Sequence, residues 1–170
     1  MGEKGGRQAL SQLRERNRQR TQGMAGRQPA LVVSCDEMWT YRGVRRGENR
    51  EDCWVWTAVV RETDGSRWVD FEVGDRSEGP FLRLYERLPE AGLYRSDAYA
   101  VYLGWFPPDR HVAGKGGSVN WNEGLPSVWR GKLNRLMRRT KGYTKSVAML
   151  VYSLALVCWQ QEGKLNIYQG

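Results

Sequence analysis

The sequence predicts a single α/β domain built on a mixed β-sheet with helices around it. Three observations predict it. A buried-strand pattern begins near residue 31. Two further strand-like segments, joined by a turn, follow it. Helical and extended segments then alternate along the rest of the chain. The expected order of elements is β-β-β-α-β-α-β-α-α. At 170 residues, the chain is long enough to enclose one hydrophobic core.

The first three strands are predicted to form an antiparallel meander. Residues 31–39, LVVSCDEMW, have the apolar and β-branched content of a buried strand. A second such segment covers residues 53–62, and residues 67–73 alternate as a third strand. Between the second and third segments, residues 63–66 read Thr-Asp-Gly-Ser, which is the composition of a hairpin turn.

The second half of the chain is predicted to alternate helices with short strands. A proline is tolerated in the first turn of a helix, which sets two of the expected helix starts. The predicted elements are a helix over residues 80–88 capped by Ser77, a strand ending at Asp97, a helix over 98–105, a strand over 110–113, a helix starting near Pro126 and a buried helix over 147–159. The last of these, VAMLVYSLALVCW, is too short for the roughly 20 residues of a membrane-spanning helix.

Charge is distributed in blocks along the chain, whose formal net charge is +8. Residues 1–28 carry seven basic and two acidic side chains and few large apolar ones, so we expect a basic flexible arm ahead of a domain over residues 29–165 and a tail over 166–170. Residues 110–145 carry nine basic groups and one acidic group, whereas residues 29–109 are acidic. Such blocks suit a protein that binds phosphates with its flanks and cations at its centre; a patchy solvated surface is the alternative.

The cysteines and the start of the chain indicate a cytoplasmic protein. Cys35, Cys53 and Cys158 are far apart and odd in number, which argues against a disulfide framework and a zinc ribbon. The polar first residues lack the apolar stretch of a secretory signal.

Two acidic positions lie on predicted strands at points where ligand-binding residues commonly occur. Asp36 and Glu37 are adjacent in a strand, so their side chains must point to opposite faces and only one of them can serve a given site. Asp97 ends the fourth predicted strand. If the first and fourth strands are neighbours, two carboxylates meet, and such a pair raises a pKa or recruits a metal such as Mg²⁺. Alternatively, these acids are ordinary surface or capping residues among the 19 of the chain.

A third acid, Glu123, precedes an amphipathic helical segment. At about 100 degrees per residue, one arc of this helix is apolar, and Glu123 extrapolates to the opposite, basic arc beside Arg130 and Asn134. The apolar arc holds Leu125, Trp129, Leu133, Leu136 and Met137, and the basic arc holds Arg130, Asn134, Arg135, Arg138, Arg139 and Lys141. An ordinary amphipathic surface helix is the competing interpretation.

Three segments resemble the transposases of insertion sequence one. Residues 35–43, CDEMWTYRG, resemble the strand that holds the first catalytic aspartate of that family, here Asp36. Residues 96–102, SDAYAVY, are similar to its second-aspartate segment, here Asp97, and residues 122–147 resemble its third-carboxylate helix, with Glu123 as the acid. The resemblance covers residues 31 to about 160 and selects Asp36 over Glu37.

The resemblance implies a ribonuclease-H-like fold with a mixed five-stranded sheet, β-β-β-α-β-α-β-α, and flanking helices. It implies a DNA transposase that cleaves and transfers strands of an insertion sequence with two divalent metal ions, Mg²⁺ or Mn²⁺, about 4 Å apart. Asp36, Asp97 and Glu123 would be both the catalytic residues and the metal ligands. Sequence-independent contacts to DNA phosphates would come from Arg130, Arg135, Arg138, Arg139, Lys141 and Lys145.

The resemblance also implies the partners of the chain. These are double-stranded DNA, both element ends and target, and further copies of the chain on that DNA. The family also carries a zinc ribbon and a helix-turn-helix, which this sequence does not show, so an upstream subunit or a frameshift partner that supplies them is a further expected partner. A nucleoid-associated cytoplasmic location, without membrane contact, follows. Two alternatives stay open: a truncated, non-catalytic DNA-binding regulator of transposition, and a structure-selective nuclease on the same fold. His111, the only histidine, is expected at the surface rather than as a proton shuttle.

Overall fold

A computed structural model describes residues 3–23, 31–42, 51–114, 120–133 and 146–161. Its elements follow one another in an α/β order, with a short 3₁₀ turn at Pro108–Arg110 before the last strand. They are α1 (Glu3–Gly23), β1 (Val32–Arg42), β2 (Glu51–Arg61), β3 (Arg67–Gly74), α2 (Glu78–Tyr85), β4 (Leu93–Ser96), α3 (Ala100–Trp105), β5 (His111–Ala113), α4 (Asn120–Lys132) and α5 (Val147–Gln161).

The described strands form one mixed sheet in the order β3-β2-β1-β4-β5. β1 pairs with β2 and β2 with β3 in antiparallel fashion, which confirms the predicted meander. The turn between β2 and β3 places Gly65 at a φ of +82°, a conformation that favours glycine. β4 lies parallel to β1, and β5 parallel to β4. The predicted α/β architecture with a mixed sheet is therefore confirmed.

Helices cover both faces of the sheet, and the alternation of β1 assigns each side chain to one face. Val33 and Cys35 pack with Phe81 of α2 and Tyr102 of α3. Met38, on the other face, belongs to a second cluster with residues of α1, α4 and α5. The two clusters make up the core, one on each side of the sheet.

The prediction of a flexible arm over residues 1–28 is wrong for Glu3–Gly23, which form α1. Ala9, Leu13 and Asn17 are spaced four residues apart and are all buried, so a narrow stripe suffices to dock the helix. Gly6 lies so close to α5 that a Cβ there would come 2.4 Å from the Cβ of Tyr152. A sparse apolar stripe in a basic segment is stabilised here by a partner helix, which the local sequence does not reveal.

One predicted helix start and one predicted capping hydrogen bond differ from the structure. α4 begins at Asn120 rather than near Pro126, and Pro126 lies inside the helix. The proline removes one helical hydrogen bond, while burial of Leu125 and Trp129 stabilises the turns around it. Ser77 occupies the N-cap position of α2, but its hydroxyl donates to Asp75 Oδ1 at 2.5 Å instead of capping the helix.

The prediction of a buried final helix is confirmed. α5 spans Val147–Gln161, and its buried residues are Leu150, Leu154, Ala155, Val157 and Cys158. Across the ranges that the structure describes, no helix is both long enough and apolar enough to cross a membrane.

Candidate functional site

β1 and β4, the strands that hold or precede two of the predicted site acids, pair in parallel. Ser34 lies opposite Arg95 in this ladder. The pairing ends there. Asp36 lies two residues beyond Ser34, and Asp97 lies two residues beyond Arg95, directly after the last residue of β4. The conditional prediction that the first and fourth strands are neighbours is thus confirmed.

Glu37 and Asp36 point to opposite faces of the sheet, as alternation predicts. The Glu37 side chain is 3% exposed, and its carboxylate accepts hydrogen bonds from Tyr102 Oη at 2.8 Å and from Arg76 Nη2 at 2.6 Å. Glu37 is therefore bound within the α2 and α3 layer. Asp36 is half-buried on the other face, where its Oδ1 accepts the backbone N–H of Glu37 at 2.9 Å.

Asp97 sits at a turn that leads from β4 into α3. Its Oδ1 accepts the backbone N–H of Tyr99 at 3.0 Å, which fixes the carboxylate relative to the backbone. The buried Ser96 hydroxyl donates to the Asp97 carbonyl at 2.7 Å and lies 2.9 Å from His111 Nε2. The turn that carries Asp97 is thus braced from β5.

His111 is half-buried rather than a plain surface residue. Its ring packs edge-on against Phe106, with 5.0 Å between the centroids, and burial lowers the pKa of the imidazole. Sequence reasoning missed its contact with Ser96, because the two residues meet only through the pairing of β4 with β5.

Two buried groups near β1 have raised pKa values. Burial raises the pKa of the Cys35 thiol far above its usual range, and the charges of Asp36 and Glu37 raise it further. Burial also raises the pKa of the Tyr102 hydroxyl, and the neighbouring acidic groups add to that shift. Burial is the larger cause in both cases, and both residues lie in the α2 and α3 layer with Glu37.

Glu123 belongs to α4, which packs on β1 and β2. Leu125 and Trp129 share a core cluster with Met38, so α4 lies on the sheet face toward which Asp36 points. The side chain of Glu123 is outside the described part of the chain. Within that part, no three His, Cys, Asp or Glu side chains are grouped closely enough to hold a metal ion. The triad of Asp36, Asp97 and Glu123 stays a prediction.

The basic face of the third segment is described only at its start. Arg130 is half-buried and follows Glu123 by seven residues, about two turns along the same helix face. The buried Leu125 and Trp129 confirm the beginning of the predicted apolar arc. The other predicted DNA-binding residues, Arg135, Arg138, Arg139, Lys141 and Lys145, lie outside the described residues.

One basic residue near the acids was missed by sequence reasoning. Arg76 follows β3 and is held against Trp54 and Tyr99, with its Cζ 4.4 Å from the centroid of each ring. Tyr99 lies two residues after Asp97, so this contact places the arginine beside the Asp97 turn. No spacing signal connects these positions, because the three residues come from separate elements.

The chain matches no protein-family model and no curated protein.

Proposed function

We propose that the chain is the catalytic domain of an insertion-sequence transposase, which cleaves and joins DNA strands with the help of divalent metal ions. The observation that carries this proposal is the parallel pairing of β1, which holds Asp36, with β4, which Asp97 directly follows. Asp36 and Asp97 are two of the acids that the resemblance selects, and the pairing of these strands supports a shared site.

The topology supports the finer proposal of a ribonuclease-H-like fold. The sheet order β3-β2-β1-β4-β5, with an antiparallel half and a parallel half, is compatible with it. In this arrangement, the first acid lies on the central strand and the second just after the neighbouring parallel strand. A helix that packs on the same face carries Glu123.

The donor set fits a hard divalent cation. Carboxylate oxygens are the ligands that Mg²⁺ and Mn²⁺ favour, and two like charges at neighbouring positions are stabilised when a cation binds between them. When bound, such ions would stabilise the attacking and leaving oxygens of an in-line displacement at phosphorus. Asp36, Asp97 and Glu123 are the residues that we expect to hold them.

The described residues preorganise the two carboxylates. The backbone N–H of Glu37 fixes Asp36, and the backbone N–H of Tyr99 fixes Asp97. Because these bonds lie within the protein, the acids need little rearrangement when cation and substrate arrive. In such a site, a water would first be the nucleophile that nicks the element end, and the freed 3′-hydroxyl would then attack target DNA.

DNA would be held chiefly through its phosphates. We propose that Arg130 and the basic residues that follow it, Arg135, Arg138, Arg139, Lys141 and Lys145, contact the backbone of element-end and target DNA. The net charge of +8 supports such contacts, and the affinity should fall as salt rises, because each contact releases counterions.

The test is an assay of strand cleavage and strand transfer with purified chain, Mg²⁺ or Mn²⁺, and duplexes that carry the sequences flanking its gene. We expect nicked and joined products from the wild type. Asp36→Asn and Asp97→Asn should bind the duplex without forming either product. Glu90→Gln is the matched control, because Glu90 is an exposed acid paired with Arg110 away from the site.

Each outcome of this assay distinguishes the candidate functions. Equal product from wild type and Asp97→Asn would contradict the proposed site. Nicking without joining, on branched or structured DNA, would favour a nuclease on the same fold. Salt-sensitive binding without any product would favour a regulator that occupies DNA.

A further inference from the structure

The Arg76 side chain is held in place by three neighbours at the same end of the sheet as Asp97. Its Cζ lies 4.4 Å from the ring centroids of both Trp54 and Tyr99, and its Nη2 donates to Glu37 Oε1 at 2.6 Å. Tyr99 also donates its hydroxyl hydrogen to the Arg76 carbonyl at 2.8 Å. The backbone and the head group of this arginine are both fixed.

Glu37 accepts a hydrogen bond from only one nitrogen of the Arg76 guanidinium. Among the described residues, its Oε1 is the one acceptor within hydrogen-bond distance of the Arg76 head group. A guanidinium has five N–H donors, and ring contacts stabilise its charge without using them. The Arg76 side chain is 44% exposed. N–H donors are therefore left for an external acceptor.

Arg76 lies beside the turn that carries Asp97, because its guanidinium stacks on Tyr99, whose backbone N–H donates to Asp97. The hydrogen bond with Glu37 raises the pKa of Arg76, and the nearby charges, including that of Asp97, raise it further. The group stays cationic beside a cluster of acids. A substrate strand that reaches Asp97 would therefore pass close to a fixed positive charge.

A phosphodiester is the ligand that suits this arrangement. The planar guanidinium forms paired hydrogen bonds with phosphate oxygens, and a group that is already immobilised loses less conformational entropy on binding. We propose that Arg76 binds a backbone phosphate of the DNA strand that passes the Asp97 turn. This inference rests on the proposed function and adds a phosphate contact that lies outside the basic segment after Glu123.

A purely structural role is the competing explanation, because Arg76 neutralises the buried Glu37. The double variant Glu37→Gln/Arg76→Gln separates the two. It removes the buried carboxylate together with its counter-charge, so a protein that needs Arg76 only as a partner of Glu37 should regain wild-type DNA binding. A protein that uses Arg76 to hold phosphate should stay deficient.

The experiment measures fluorescence anisotropy of a labelled duplex over a series of KCl concentrations in EDTA, so that no divalent ion contributes. Arg76→Gln and the double variant should each lower the slope of log K against log salt by about 0.9, the effect of one lost phosphate contact. Arg67→Gln is the matched control, because Arg67 is an exposed arginine at the opposite end of the sheet. Circular dichroism checks that each variant is folded, and the double variant keeps the test available if Arg76→Gln is not.

The results separate the role of Arg76 from the proposed function of the chain. An unchanged slope in Arg76→Gln, or a wild-type slope in the double variant, would overturn the role of Arg76 while leaving the acids as the proposed site. Wild-type protein that neither binds nor cleaves DNA would overturn the proposed function, and the phosphate contact with it.

Discussion

Asp36 and Asp97 each lie two residues beyond Ser34 and Arg95, the last pair that β1 and β4 form. Neither residue would carry a functional argument alone, because most acids in a protein are surface or capping residues. The orientation of the neighbouring acid, Glu37, supports a role for Asp36. Glu37, next to Asp36, is tied into the opposite layer, so the chain commits one acid to the core and directs the other toward the face that α4 covers.

Docking of α1 should contribute strongly to stability. Leu13 is fully buried in the cluster with Leu150 and Leu154, so Leu13→Ala should lower the free energy of unfolding by about 2–5 kcal/mol. The exposed neighbour Gln12 provides the control, and Gln12→Ala should have little effect. Urea denaturation measures both. A flexible segment would make the two substitutions equivalent, and that result would contradict the docked helix.

Arg87 should be another strong stabilising position. It bonds both oxygens of Asp70, whose side chain is 2% exposed, and also reaches Glu72 at 2.9 Å. Arg87→Leu leaves a buried carboxylate without its partner, and we expect a loss of about 3 kcal/mol in unfolding free energy. The more exposed Arg110–Glu90 pair should contribute much less, because solvent screens it, as Arg110→Leu would show. Similar losses at both positions would refute this assignment.

His111 should make stability depend on pH. Burial lowers the pKa of the folded imidazole, so the unfolded chain, with a histidine pKa of about 6.5, takes up a proton more readily. The free energy of unfolding should therefore be highest above pH 6.5 and fall as the pH drops below it. His111→Gln removes the titration and retains an amide that can reach Ser96. Denaturation at pH 7.5 and pH 5.5 should show a smaller difference in this variant; an identical pH dependence would rule out His111 as the cause.

The strands were predictable because their signal is local. The apolar and β-branched content of residues 31–39 and 53–62 and the alternation of residues 67–73 predict the strands, and the short turn favours an antiparallel pairing. Because side chains alternate along a strand, Asp36 and Glu37 were also predicted to point to opposite faces of the sheet. The alternation did not show which acid faces α4, since that depends on how the helices are distributed over the two faces.

Contacts between distant segments were beyond local reasoning. Ala9, Leu13 and Asn17 form a stripe that is too sparse to predict a packed helix from the sequence alone. Their burial depends on contacts with α5. The contacts of Arg76 with Trp54 and Tyr99 likewise join three separate elements. The meeting of Asp36 with Asp97 was predicted only on the condition that β1 and β4 pair, and the structure supplies that condition.

Binding of Mn²⁺ by the purified chain tests the central claim most directly, because it reports on the acids without requiring the correct DNA sequence. Titration followed by electron paramagnetic resonance should show bound Mn²⁺ in the wild type. The affinity should be at least about tenfold weaker in Asp36→Asn and in Asp97→Asn, while Glu37→Gln, one residue away on the opposite face, should retain it. Equal affinity in all four proteins, or a loss confined to Glu37→Gln, would contradict a metal site formed by Asp36 and Asp97.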